Sequence, residues 1–139
     1  MSAIREVYDV EHAASLEYSP ELDGLADPGE IVWAWVPFEE NPSQGKDRPL
    51  LVVGRHGKRL LAMQLSSRDR SGQRGWHSLG PGTWDRDGRD SYLCLDRVFE
   101  LDEDDLRREG AILDADRFAR VAAALIGRYG WKVRRQGQL

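Results

Sequence analysis

Between Ile31 and Leu65 the chain carries three short apolar runs, spaced so closely that only a β-rich core can use them. In Ile31-Val32-Trp33-Ala34-Trp35-Val36, the side chains of Ile31, Trp33 and Trp35 share one face of an extended strand while Val32, Ala34 and Val36 share the other. Both faces are apolar, so this strand must be covered on both sides. A polar loop from Glu39 to Asp47 leads to a second buried strand, Pro49-Leu50-Leu51-Val52-Val53-Gly54, and His56-Gly57-Lys58 is a tight-turn signal before a third, Leu60–Leu65.

The rest of the chain agrees with that start. A polar, glycine-bearing loop runs from Ser66-Ser67 to Gly75, followed by a short strand, Trp76–Leu79, and the breaker Gly80-Pro81-Gly82. The run from Tyr92 to Leu101 is either one bent strand or two short ones. Phe118, Val121, Ala122, Leu125 and Tyr129 then fall on one face of a helix, with Asp114 as N-cap and Gly130 as the C-terminal stop. Strands first and a helix last predict a mainly β fold, a small barrel or half-barrel closed by a C-terminal helix. The expected core is Ile31, Val32, Leu51, Val53, Leu61, Met63, Leu93, Leu95, Phe118, Val121 and Leu125. Three regions are expected: an acidic N-terminal arm over residues 1–28, with a short helix around Val7 to Leu16; the barrel and helix over 29–131; and a basic tail over 132–139.

At 139 residues a folded chain withdraws roughly two-thirds of its unfolded surface from water, so neither a disulfide nor a structural metal is required. The single cysteine, Cys94, excludes an internal disulfide, and its neighbours Tyr92, Leu93 and Leu95 mark it as a buried strand residue. His12, His56 and His77 are scattered, with no metal-site spacing, so no metal or other cofactor is expected. The longest uncharged apolar stretch, Ile31 to Phe38, is far short of the roughly 20 residues a spanning helix needs. No basic segment followed by an apolar run opens the chain, and the reading is a cytoplasmic protein with no membrane partner.

The net charge of −4 conceals a segregated distribution. Residues 1–30 hold eight acids and one base, whereas Lys46 to Arg74 hold eight bases against Asp47 and Asp69. An acidic arm tethered beside a cationic surface suggests that the arm occupies that surface and lowers its activity, or else packs on the barrel for stability or is simply disordered. Arginine outnumbers lysine 17 to 3, which fits bidentate phosphate contacts and equally a bias of genome composition.

No nucleophile elbow, phosphate-binding glycine loop or zinc-protease motif is present. What remains is a constellation. If the second and third strands pair through the His56-Gly57-Lys58 turn, residue numbers across the hairpin sum to about 114, which sets Arg48 opposite Ser66. A guanidinium beside a hydroxyl at a sheet edge suits a phosphate. Among the aromatic residues, Trp33 and Trp35 read as core, and Trp84, beside glycines and arginines, as a base-stacking candidate.

These residues resemble a known family. Pro28-Gly29-Glu30-Ile31-Val32-Trp33 followed by Ser43-Gln44-Gly45-Lys46-Asp47-Arg48-Pro49-Leu50-Leu51-Val52-Val53 resembles the opening of the PemK/MazF toxins of bacterial type II toxin–antitoxin systems. Leu65-Ser66-Ser67 is similar to the family's strand ending in Thr or Ser, and Ser91-Tyr92-Leu93-Cys94-Leu95-Asp96-Arg97-Val98 to a later strand. The resemblance, over residues 28 to about 128, implies an SH3-like β-barrel of the PemK/MazF/CcdB type, usually a homodimer. It implies metal-independent, sequence-selective cleavage of single-stranded mRNA at short sequences through a 2′,3′-cyclic phosphate, held in check by a cognate antitoxin. By position Arg48 matches the catalytic arginine and Ser66 the phosphate-contacting hydroxyl. The RNA-binding candidates are Ser43, Gln44, Lys46, Ser67, Arg68, Arg70, His77 and Trp84.

One departure bears on mechanism. Members with Ser-Glu-Gln-Gly in the first loop carry an acid where this chain has Ser43, so the usual general base is absent from its place. Glu40, three residues earlier, is the substitute chosen here, with His56 and His77 as alternatives because imidazoles titrate nearest neutrality. The competing reading is a non-catalytic nucleic-acid- or protein-binding member of the same fold, an inactive toxin or one similar to the gyrase-inhibiting branch.

Overall fold

The computed structural model describes residues 4–8, 15–20 and 26–133. In chain order the elements are β1 (Arg5–Val7), β2 (Ser15–Leu16), β3 (Glu30–Pro37), β4 (Gly45–His56), β5 (Arg59–Ser66), β6 (Trp76–Gly80), β7 (Ser91–Cys94), β8 (Val98–Leu101), β9 (Arg107–Ile112), α1 (Ala115–Tyr129) and β10 (Lys132–Val133). A short 3-10 turn, Glu103–Asp105, precedes β9.

The scaffold is the β3–β4–β5 meander. Ile31 faces Leu51 and Ala34 faces Arg48 across β3 and β4, and Leu50 faces Gln64 across β4 and β5. The hairpin sum of 114 holds from Leu50 to Val52, then shifts by one at a bulge before Gly54↔Leu61. Beyond the bulge β4 exchanges partners, pairing with β2 through Ser15↔Arg55 and Leu16↔Gly54. Here only glycine fits, because a Cβ on residue 54 would lie 2.0 Å from the Ser15 carbonyl oxygen. On its other edge β5 also divides its partners: Leu60–Ala62 pair with β8, and Leu65 and Ser66 with β7. The result is a strongly bent, open sheet of SH3-like character with one helix against it, and the barrel expected from sequence is a half-barrel.

Side-chain alternation gives the sheet two apolar faces. Ile31, Leu51, Leu61, Met63, Leu65 and Leu93 pack with Phe118, Val121 and Leu125 of α1. Val32, Ala34, Val36, Leu50, Val52, Leu60, Ala62 and Phe99 form a second cluster on the opposite face. The expected core is buried throughout except Leu95, which is only partly so. The helix has the caps its sequence announces: the Asp114 carboxylate accepts from the Arg117 backbone N–H at 3.0 Å, and Gly130 closes it at φ 72°.

Several elements differ from expectation. Val7 and Leu16, the ends of the anticipated short helix, lie in strands; residues 9–14 between them are outside the described residues. β1 pairs with β8 and β2 with β4, so the described parts of the acidic segment are joined to the sheet. Lys132 and Val133 of the expected basic tail pair with β2, and residues 134–139 lie outside the described residues. The run from Tyr92 to Leu101 is two strands, broken at Leu95–Arg97. β9, with the polar sequence Arg-Arg-Glu-Gly-Ala-Ile, has no alternation to reveal it and is held by pairing with β3. Trp35, expected in the core, is 45% exposed, while the strand beginning at Ser91 is buried within the chain. No helix among the described residues is long and apolar enough to cross a membrane.

Candidate active site

The period of two along β4 and β5 decides which side chains meet. Arg48 pairs with Ala34, and Gln64 with Leu50, so both stand on the face opposite the helix, and Ser66 shares it. The paired register of β4 and β5 ends at Leu50↔Gln64, two residues short of Arg48 and Ser66, and both of these line a cleft of about 820 Å³. On the adjoining ribbon Ser66 pairs with Tyr92, and Trp76 with Cys94. A second cavity of about 300 Å³ abuts the cleft, with Arg48 lining both. Glu40, Gln64, Trp76, Cys94 and Arg97 complete much of its wall.

The cleft is cationic. Lys46, Arg48, Ser67, Arg68, Arg70 and Arg86 line it, and the cations among them form no ion pair with the described residues. Arg107 and Arg89, by contrast, are engaged by Asp47 at 3.0 Å and Asp85 at 3.0 Å. Burial first, then repulsion from Arg68, Arg70 and Arg97, lowers the Arg48 guanidinium below its ordinary value, while the nearby Glu40 carboxylate opposes the shift.

The loop after Ser66 is fixed by a small polar network. The Ser66 hydroxyl accepts the Arg68 backbone N–H at 3.2 Å. The Asp69 carboxylate accepts the Ser71 hydroxyl at 2.6 Å, the Ser71 backbone N–H at 2.9 Å and the Tyr92 hydroxyl at 3.2 Å. These bonds, the Ser71 hydroxyl's foremost, hold Asp69 ionised below the usual aspartate range. Arg70 lies over the Trp76 ring, 4.5 Å from its centroid.

Other candidates fall elsewhere. His77 alternates to the helix side of β6, where burial first and then Arg120 lower its pKa, and it lines neither cavity. His56 sits at the far hairpin, hydrogen-bonded to Glu100 at 3.1 Å. Ser43 and Gln44 are exposed in the loop between β3 and β4, the Ser43 hydroxyl donating to Asn41 at 2.7 Å. Trp84 is buried rather than offered for stacking: its indole N–H donates to the Ser91 hydroxyl at 2.8 Å, and Arg117 lies over its ring. Its edge forms cleft wall, and Gly82 must lack a Cβ because one would meet the ring at 2.1 Å. Gln64 and Arg97 were not singled out from sequence. The signal for Gln64 was present, since it lies two residues before Ser66 on the same strand face.

Among the described residues no group of three or more His, Cys, Asp or Glu is arranged to hold a metal ion. The described residues thus form an open, SH3-like half-barrel with a terminal helix, and an arginine and a serine line one cleft at the open end of its central hairpin. The family of PemK-like, MazF-like toxins of type II toxin–antitoxin systems matches residues 27–127, and this chain belongs to that family. A MazE–MazF complex from Deinococcus radiodurans, crystal form II, matches in structure with a TM-score of 0.56 and 22% identity, covering 76% of this chain and 96% of that one. Form III of that complex gives a TM-score of 0.56 and 21% identity, covering 78% and 99%. At these identities the likeness concerns the fold alone. No match is found among curated proteins.

Proposed function

We propose that this toxin is an endoribonuclease that cuts single-stranded mRNA in the cytoplasm without a metal ion. The observation that carries the reading is Arg48, lining one cleft with Ser66 and with Lys46, Arg68, Arg70 and Arg86, none of which is ion-paired with the described residues. Glu40 takes the proton of a ribose 2′-hydroxyl, and the freed oxygen attacks the adjacent phosphorus. Arg48 meets the charge that develops on the phosphorane and passes a proton to the departing 5′-oxygen, while Ser66 orients a phosphoryl oxygen. One P–O bond forms and one breaks, leaving a 2′,3′-cyclic phosphate and a 5′-hydroxyl. Glu40 is supported by its place in the cavity it shares with Arg48 and by its electrostatic effect on that residue. Lys46, Ser67, Arg68 and Arg70 hold the strand along the cleft, with Ser43 and Gln44 at its margin.

The active form on this reading is a homodimer, supported by the exposed Trp35 on β3. The inhibitor is an antitoxin protein, as in the MazE–MazF assemblies of D. radiodurans. The test is incubation of the purified chain with a long single-stranded RNA in EDTA. Cleavage leaving 5′-hydroxyl ends is expected; 5′-phosphate products, or activity abolished by EDTA, contradict the mechanism. Binding without cleavage would support the non-catalytic reading, which the exposed, loop-bound Ser43 in place of an acid favours.

A further inference from the structure

Arg97 stands at the break between β7 and β8 and is only 8% exposed, and a guanidinium so buried needs partners. Its partners come from separate parts of the chain. The Glu6 carboxylate of β1 accepts from Nε at 3.2 Å and from Nη2 at 2.9 Å. The Pro37 carbonyl, at the end of β3, accepts from the same Nη2 at 3.1 Å, and Glu39 Oε2 stands 3.7 Å from Nε. The period of two explains the meeting. Glu6 pairs with Phe99 across β1 and β8, and the Arg97 guanidinium lies over the Phe99 ring at 4.8 Å, on the face of the sheet opposite the helix.

Pro37 is the root of the loop that carries Glu40, since Pro37↔Gly45 is the last pair of β3 with β4. Within the loop, Phe38 N–H donates to the Gln44 carbonyl at 2.8 Å and Gln44 N–H to the Asn41 carbonyl at 3.0 Å. Arg97 ties the base of this turn to the β7–β8 break, and it lines the same cavity as Glu40.

We infer that Glu6 of the N-terminal strand positions the β3–β4 loop for cleavage, acting through Arg97. Glu6 precedes residues 27–127, which match the family, so the brace comes from this chain's own leading segment. The inference rests on the ribonuclease reading for the role of Glu40 and adds what holds that residue in place. While Glu6 engages the guanidinium, Nη2 stays on the Pro37 carbonyl. Without it the buried cation is drawn toward the carboxylates of the loop itself, Glu39 at 3.7 Å and Glu40 across the shared cavity. The root of the loop is then released, and Glu40 is engaged by Arg97 instead of the ribose 2′-hydroxyl.

The test compares the full chain with Glu6→Ala and with a control, Arg5→Gln, which removes the neighbouring β1 ion pair to Glu100 at 3.0 Å. Amide hydrogen exchange at Phe38 and Gln44 reads the loop, and steady-state cleavage of single-stranded RNA in EDTA reads the consequence. In Glu6→Ala, exchange at these two amides should quicken by about fivefold while that of β4 and β5 is unchanged. The kcat should fall by about tenfold or more with KM held within about threefold, as expected when a reacting group is misplaced by about 1 Å. Arg5→Gln should match the wild type in both. Glu6→Gln, which keeps the shape and removes the charge, serves where the Ala variant fails to fold, with changes in the same direction.

A folded Glu6 variant with unchanged exchange at Phe38 and Gln44, or with faster exchange and an unchanged kcat, overturns the inference and leaves the ribonuclease reading intact. Equal losses in Arg5→Gln overturn it as well, because they trace the effect to loosening of β1 as a whole. If the wild type leaves RNA uncut, the ribonuclease reading falls. The brace on the loop then stands only if exchange at the two amides quickens in Glu6→Ala and not in Arg5→Gln.

Discussion

Arg48 ends a polar loop and begins a buried strand segment, and that position explains its chemistry. Burial and the surrounding arginines lower its pKa from the ordinary value, while the pairing of Arg48 with Ala34 of β3 fixes its place on the strand. Arg48→Ala should lower the cleavage rate a hundredfold or more, since one preorganised transition-state donor is worth about 3–4 kcal/mol. A fall of less than threefold, measured on RNA in EDTA, would remove Arg48 from catalysis. At the far hairpin, burial alone would raise the Glu100 carboxyl, but the hydrogen bond from His56 and the charges of Arg5 and Arg59 outweigh it and hold the pKa below the ordinary 4.5. A depressed carboxyl stabilises the fold above its unfolded value and loses that contribution as pH falls through the folded one. Glu100→Gln should therefore unfold more easily at pH 7 and lose less stability on acidification below about 4.5. Chemical denaturation at pH 7 and pH 3 checks this, and parallel losses in both proteins would contradict it.

β9 is an edge strand with little apolar pattern, tied to the sheet by a charge pair. Glu30 of β3 is 1% exposed and takes a forked contact from Arg108, Nε to Oε2 at 2.9 Å and Nη2 to Oε1 at 2.7 Å. It also accepts the Asp27 backbone N–H at 3.1 Å. Removing the carboxylate takes the forked Arg108 bonds and the Asp27 N–H bond from a buried acceptor, so Glu30→Ala should destabilise the protein by about 1.5–3 kcal/mol. Urea unfolding gives the measurement; a change below about 1 kcal/mol would mean that backbone pairing alone holds β9.

Across the whole molecule the segregated charge of the sequence becomes a set of specific contacts. Glu6 holds Arg97 at 2.9 Å, while Asp27 and Glu17 hold Arg55 at 3.1 and 3.8 Å. None of the described residues of the acidic segment lines the cleft. Leu16, fully buried in the helix-side core, adds about 1.5–3 kcal/mol to the stability. Deleting residues 1–27 should therefore lower the melting temperature, by about 3–6 °C per kcal/mol lost, and leave RNA binding no tighter than in the full chain. Tighter binding by the truncated protein, with a gain that shrinks as salt rises, would instead identify the segment as a tethered competitor.

Local pattern was enough for the central meander, the helix with its caps and most of the core. Each depends on a period of two or 3.6, or on a turn residue that a short stretch of chain supplies for itself. The strands β1, β2, β9 and β10 have two to six residues and no periodicity of their own, and they exist because a longer strand offers an open edge. Burial of tryptophan was equally illegible: Trp35 lies beyond the limit of the core and Trp84 within a wall closed by Arg117, although their neighbours in sequence suggest the reverse. Sequence determined which residues alternate to which face of the sheet. Only the tertiary structure decided which part of each face is covered, because that depends on segments distant along the chain and on where their packing ends.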